Sequence, residues 1–169
     1  MGEWSGESQG ECPAIKELKE ALRLGVPILG SNKGKLGTIR NDGSRHTAGL
    51  AMDIMLDSRD PVEKTIADRI IDALVKTHGQ MKWADLIYTD WDGKKPVYFH
   101  IPGMPPYGGK NGMLKKNPTK STLGMKHQNH IHIDWWAYNP NKWPAHARTT
   151  GFKTALIAEL QKEGVESTK

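Results

Sequence analysis

Cysteine is almost missing from this chain. Among 169 residues only Cys12 occurs, so no intramolecular disulfide can form, and neither a cysteine-rich zinc module nor an iron–sulfur site can be built from cysteines. Any bound metal must take nitrogen and oxygen ligands. No run of about 18 apolar residues is present to span a membrane as a helix, and residues 1–10, small, acidic and polar, carry no basic-plus-apolar signal pattern. Internal repeats are absent too. The densest lysine cluster, residues 110–120, lies in a Gly/Pro-rich stretch without interleaved aromatics on which bases would stack. Membrane insertion and nucleic acid binding are therefore not expected.

What is present fits a globular domain. Charged residues make up 25% and apolar residues 37% of the chain, enough for a core, and the length suits one domain over residues 1–169 with frayed ends at about 1–10 and 164–169. The net charge of +5 favours anionic partners, among them bacterial wall polymers.

Local patterns predict alternating helices and strands. Pro13, followed by Ile15, Leu18 and Leu22 on one face and then Gly25, predicts a short helix. Residues 31–44 are turn-rich. Leu50, Met52, Ile54 and Leu56 alternate with Ala51, Asp53 and Met55, predicting a strand from whose apolar face Asp53 points away. Asp60-Pro61-Val62-Glu63 has the form of a capping box before a helix carrying Ile66, Ile70, Ala73 and Leu74 and ending at Gly79. Strands are predicted around residues 83–89 and 97–101, joined by the Asp92-Gly93 turn. After a long Gly/Pro/Lys-rich loop, residues 102–126, Ile131, Ile133 and Trp135 alternate with His130, His132 and Asp134, a strand with an apolar back and a polar front. A helix over residues 150–162 closes the chain. The fold class expected is α+β: a central, mainly antiparallel sheet with helices packed around it and a cleft on the sheet.

Chemistry concentrates in two segments, residues 44–53 and 127–132. Catalytic zinc takes three nitrogen or carboxylate ligands and leaves a position for water; His46, Asp53 and one later histidine meet that count. Period-two geometry puts His130 and His132 on one strand face, so one can bind metal while the other works on water. The seven-residue step from His46 to Asp53 places His46 on a turn before the strand, and Gly49 permits the bend. His78, His100 and His146 stand alone and read as structural residues.

These segments resemble the zinc peptidase superfamily that joins lysostaphin-type enzymes, D-alanyl-D-alanine peptidases and the hedgehog signalling domain. The shared motif is a histidine, six residues, an aspartate, and later a His-x-His or acid-x-x-His element. His46 and Asp53, with Gly49 and Ala51 between them, are similar to the D-alanyl-D-alanine peptidase branch. His127, His130 and His132 look like the His-x-x-His-x-His of the penicillin-insensitive murein endopeptidases, whose His-x-x-Gly-Leu-x-x-Asp-Ile segment residues 46–54 also resemble. Those endopeptidases are longer and disulfide-bonded.

The resemblance implies a zinc metallopeptidase with His46, Asp53 and His132 as Zn(2+) ligands and His130 and His127 as catalytic histidines. His130 would exchange protons with the water and the leaving amine, and His127 would stabilise the tetrahedral intermediate or share that task. Arg40 or Arg45 would hold a substrate carboxylate or a developing oxyanion, and Asp134 or a backbone carbonyl would orient an imidazole. The implied activity is antibacterial hydrolysis of a peptide bond in peptidoglycan stems or crosslinks. Trimming of a terminal D-alanine, and a non-catalytic zinc- and wall-binding module, are the alternatives. The workplace implied is the periplasm or cell wall, reached as an exported, secreted-effector or phage lytic enzyme. A monomer is expected, with an immunity protein as partner if the chain is a delivered toxin.

Overall fold

The structure, a computed structural model, describes residues 10–27, 29, 36–37, 49–88, 97–100, 129–135, 143 and 145–167. Its elements run α1 (Pro13–Gly25), β1 (Leu36–Gly37), β2 (Ala51–Ile54), α2 (Pro61–Lys76), α3 (His78–Met81), β3 (Asp85–Tyr88), β4 (Val97–His100), β5 (Ile131–Asp134), a 3₁₀ turn (Ala145–Arg148) and α4 (Lys153–Ser167). The five strands form one sheet in the order β1-β2-β5-β3-β4, and every pairing in it is antiparallel. The fold is α+β.

Strand β5, late in the chain, is the central strand. It pairs with β2 on one side, Met52 opposite Ile133 and Asp53 opposite His132, and with β3 on the other, Leu86 opposite Ile133 and Asp85 opposite Asp134. Paired residues share a face, so the alternation read from sequence carries across three strands. Met52, Ile54, Leu86, Tyr88, Ile131 and Ile133 lie on one face and join the core cluster with Ile15, Leu18 and Leu22 of α1, Ile70 and Leu74 of α2, and Leu156 and Leu160 of α4. Asp53, His132, Asp134 and Asp85 share the other face. Ala51 and Ile87, also on that face, are buried outside the helix-packed cluster.

Helix boundaries follow from capping chemistry. The Asp60 carboxylate accepts the N–H groups of Val62 and Glu63 at 2.9 and 3.2 Å, and proline begins the first turn, where its missing N–H costs nothing. Glu63 accepts the backbone N–H of Asp57 and the Asp60 N–H goes to the Asp57 carbonyl, so the return bond expected of a capping box is replaced by bonds to the preceding chain. The helix stops at Lys76 and not at Gly79: the Thr77 hydroxyl donates back to the Ala73 carbonyl, and a separate turn, α3, contains Gly79. Helix α4 continues to Ser167, past the expected fraying point at Gly164, because one glycine costs a helix only about 1 kcal/mol. It starts at Lys153, so Phe152 is buried just ahead of it. Inside the turn-rich residues 31–44, Leu36 and Gly37 pair with Ile54 and Asp53.

Two side-chain connections, from the half-buried Arg69 and Glu17, tie the helices together. The Arg69 guanidinium donates to the carbonyls of Leu160 and Gly25 at 2.9 and 2.7 Å, and burial pushes its pKa down. Glu17 of α1 accepts the backbone N–H groups of Gly151, Phe152 and Lys153, satisfying donors at the entry to α4 that have no partner within the helix. No helix among the described residues is long and apolar enough to cross a membrane.

Candidate functional site

The polar face of β5 gathers the site. His132 sits opposite Asp53 across the β2–β5 ladder, and its Nδ1 is 3.4 Å from Asp53 Oδ1. The other ring nitrogen, Nε2, is 2.7 Å from Asp134 Oδ2. A carboxylate can only accept, so Nε2 carries the hydrogen of that bond. His132 therefore lies between two aspartates, with its side chain 13% exposed.

His130 stands two residues earlier. Its Nδ1 is 2.7 Å from Asn129 Oδ1; in the neutral ring, donation to that amide oxygen leaves Nε2 as the nitrogen with the lone pair. Nε2 is 3.6 Å from the same Asp53 Oδ1 that faces His132. One carboxylate oxygen thus addresses both imidazoles. A third buried carboxylate, Asp85, is the register partner of Asp134, and His100 of β4 is in turn the register partner of Asp85.

Burial alone would lower the His132 pKa, but the hydrogen bond to Asp134 and the nearby carboxylates of Asp134 and Asp53 outweigh it, raising the value to about 9. The metal-free imidazole is a cation at neutral pH. Its charge compensates part of the carboxylate charge that burial would otherwise penalise.

The 3.4 Å spacing between Asp53 Oδ1 and His132 Nδ1 exceeds the ordinary hydrogen-bond range of about 2.7–3.2 Å. Two ligands about 2.0–2.2 Å from zinc and a tetrahedral angle apart are separated by about 3.4 Å. The two side chains fit that edge, with an oxygen and an imidazole nitrogen as zinc prefers. Among the described residues there is no group of three or more His, Cys, Asp or Glu side chains that could hold a metal ion. The other predicted ligand, His46, lies outside the described residues, as do His127, Arg40, Arg45 and the loop over residues 102–126.

The chain entering β2 shows why Gly49 precedes the site. Gly49 has φ +73°, and a Cβ there would collide with the carbonyl oxygen of Gly10. Its own carbonyl accepts the Cys12 N–H at 2.9 Å. Gly49 thus holds, at the entry to β2, a backbone conformation and a close approach that only glycine fills; the stretch from His46 to Ala48 lies outside the described residues.

Sequence reasoning missed Asp85 and Asn129. Asp85 is detectable as the single charged residue of Ala84-Asp85-Leu86-Ile87-Tyr88; Asn129 is marked only by standing next to a histidine. His78, expected to be structural, has Nε2 3.1 Å from the Trp83 carbonyl and its ring edge-on to the Trp83 indole. Trp135 is fully buried and its indole donates to the Met81 carbonyl, a packing role. The side chains of His100 and His146 are outside what the structure describes.

No family model, curated protein or solved structure matches this chain.

Proposed function

We propose that this chain is a zinc-dependent peptidase that hydrolyses a peptide bond in the stems or crosslinks of peptidoglycan. The observation that carries the reading is the Asp53–His132 pair, whose facing oxygen and nitrogen are 3.4 Å apart on the polar face of the central sheet. Asp53 and His132 would hold zinc together with His46, in a cleft on that sheet. Zinc, when bound, supplies Lewis-acid activation of water and of the scissile carbonyl.

The chain's own residues do the rest. His130 Nε2 accepts a proton from the attacking water and returns it to the leaving amine; its orientation by Asn129 supports that role, since in the neutral ring a hydrogen on Nδ1 donated to Asn129 Oδ1 leaves the lone pair on Nε2. His127 stabilises the tetrahedral intermediate or shares the proton transfer, and Arg40 or Arg45 binds a substrate carboxylate or the oxyanion. The choice of a wall peptide rests on the resemblance of residues 46–54 and 127–132 to murein endopeptidases, together with the net charge of +5, which suits an anionic polymer. The workplace is then the periplasm or cell wall, with an immunity protein as partner if the enzyme is delivered as a toxin.

The test is a digest of purified muropeptides with and without chelator, alongside His130→Ala. Loss of crosslinked dimers that chelator stops supports an endopeptidase. Loss of terminal D-alanine alone makes the protein a carboxypeptidase. Wall binding with turnover no greater than that of His130→Ala makes it a binding module.

A further inference from the structure

We propose that Asp134 is a positioning residue that fixes which nitrogen of His132 is presented to the metal. The inference rests on the zinc reading above and assigns a role to a residue outside the ligand set. Asp134 Oδ2 holds His132 Nε2 at 2.7 Å, and this side chain is only 1% exposed. Residues two apart on a strand project from the same face, so the contact is built into β5 itself.

Asp134 is also held from both sides. It lies opposite Ala51 of β2 and Asp85 of β3, its carbonyl accepts the Ala84 N–H at 2.7 Å, and the next residue, Trp135, donates its N–H to Leu50 at 2.8 Å. The carboxylate therefore acts as a fixed acceptor. With Nε2 committed to Asp134, Nδ1 is the nitrogen directed at Asp53 Oδ1, 3.4 Å away. Presenting Nε2 to a metal instead would require turning the ring, breaking the 2.7 Å bond and leaving a buried carboxylate without that donor, an expensive change in a low-dielectric setting. A carboxylate behind a ligating imidazole sets its tautomer and raises its basicity, and removing such a group weakens metal affinity by about 10–100-fold.

Two measurements test this. The first is ¹⁵N NMR of the imidazoles of the unaltered protein, zinc-free and zinc-loaded, with His132→Gln providing the assignment. The expected result is that Nε2 of His132 stays protonated in both forms while zinc shifts Nδ1; zinc on Nε2 overturns the proposal. The second is zinc affinity by chelator competition, with folding checked by circular dichroism. Asp134→Ala is expected to weaken binding about 10–100-fold, and Asp134→Asn less, because its amide oxygen can still accept from Nε2. Wild-type affinity in a folded Asp134→Ala protein overturns the role of Asp134. If that variant does not fold, the NMR result on the unaltered chain decides. Failure of the zinc reading is distinguishable: the unaltered protein would not bind zinc, or His132→Gln would bind it equally well. Loss of zinc in His132→Gln with retention in Asp134→Ala would overturn the positioning role alone.

Discussion

Asp53 and His132, 79 residues apart in the chain, are neighbours across two paired strands, and their facing atoms, Oδ1 and Nδ1, lie 3.4 Å from each other. The register that creates this pair is the one that stacks Met52 on Ile133 behind it, so burial of the apolar face sets the spacing of the polar one. Slipping β5 by one residue would turn His132 into the core and Ile133 out of it. Site and core are thus specified by one alternation.

Asp53→Ala and His132→Ala are each expected to reduce zinc affinity by about 100-fold or more, exceeding the effect of losing a residue behind the ligands. Asp53 is 6% exposed and faces His132, so its removal also costs stability, and affinity is compared only between variants shown to be folded. Chelator competition on the folded variants checks this, and retention of near-normal affinity by both would sink the assignment of the pair as ligands.

The zinc-free protein should lose stability in alkali. His132 has a folded pKa of about 9 against an ordinary value of about 6.5, so the folded state binds the proton more tightly than the unfolded one. The resulting stabilisation is fully present below about pH 6.5 and is lost as pH rises through about 9. Thermal melts in the presence of chelator should show Tm falling over that window, with His132→Gln giving a flatter profile. Equal pH dependence in the two proteins would contradict the buried-cation description.

Much of this arrangement is legible in the chain because it follows from periodicity. The alternation of Ile131 and Ile133 with His130 and His132 predicts both the strand and its two faces, and Asp60 with Pro61 predicts where α2 begins. What is not legible depends on contacts between distant segments. No local pattern says that β5 lies between β2 and β3, and hence that Asp85 stands beside Asp134. Thr77 ends α2 through a hydroxyl bond to the preceding turn, a competition between side chain and backbone that glycine spacing does not reveal. Glu17 caps a helix 134 residues away, which no reading of residues 150–162 alone could identify.

That cap gives a prediction remote from the site. Glu17 accepts three backbone N–H groups, from Gly151, Phe152 and Lys153 at 2.9, 2.8 and 3.2 Å, and a carboxylate at a helix start also meets the positive end of the helix dipole. Glu17→Ala should lower stability by about 1–3 kcal/mol while leaving zinc affinity of the folded protein unchanged. Urea denaturation and chelator competition on the same sample separate the two effects; a loss of zinc affinity without a loss of stability would refute the capping role.

Gly49 offers a test in which two causes can be told apart. Its φ of +73° is costly for most residues, yet asparagine tolerates that region better than alanine. The second constraint is steric: a Cβ would meet the Gly10 carbonyl oxygen, whatever the rest of the side chain. If conformation alone mattered, Gly49→Asn would retain more stability than Gly49→Ala. Because backbone occupies the space, both substitutions should destabilise the fold by at least about 1–3 kcal/mol, with asparagine giving little relief. Displacement of Gly49 also shifts the approach of the chain to Asp53, so both variants should bind zinc more weakly than the unaltered protein. Denaturation and zinc titration of the pair check this, and a stable, tight-binding Gly49→Asn protein would show that the close approach of Gly10 does not constrain the site.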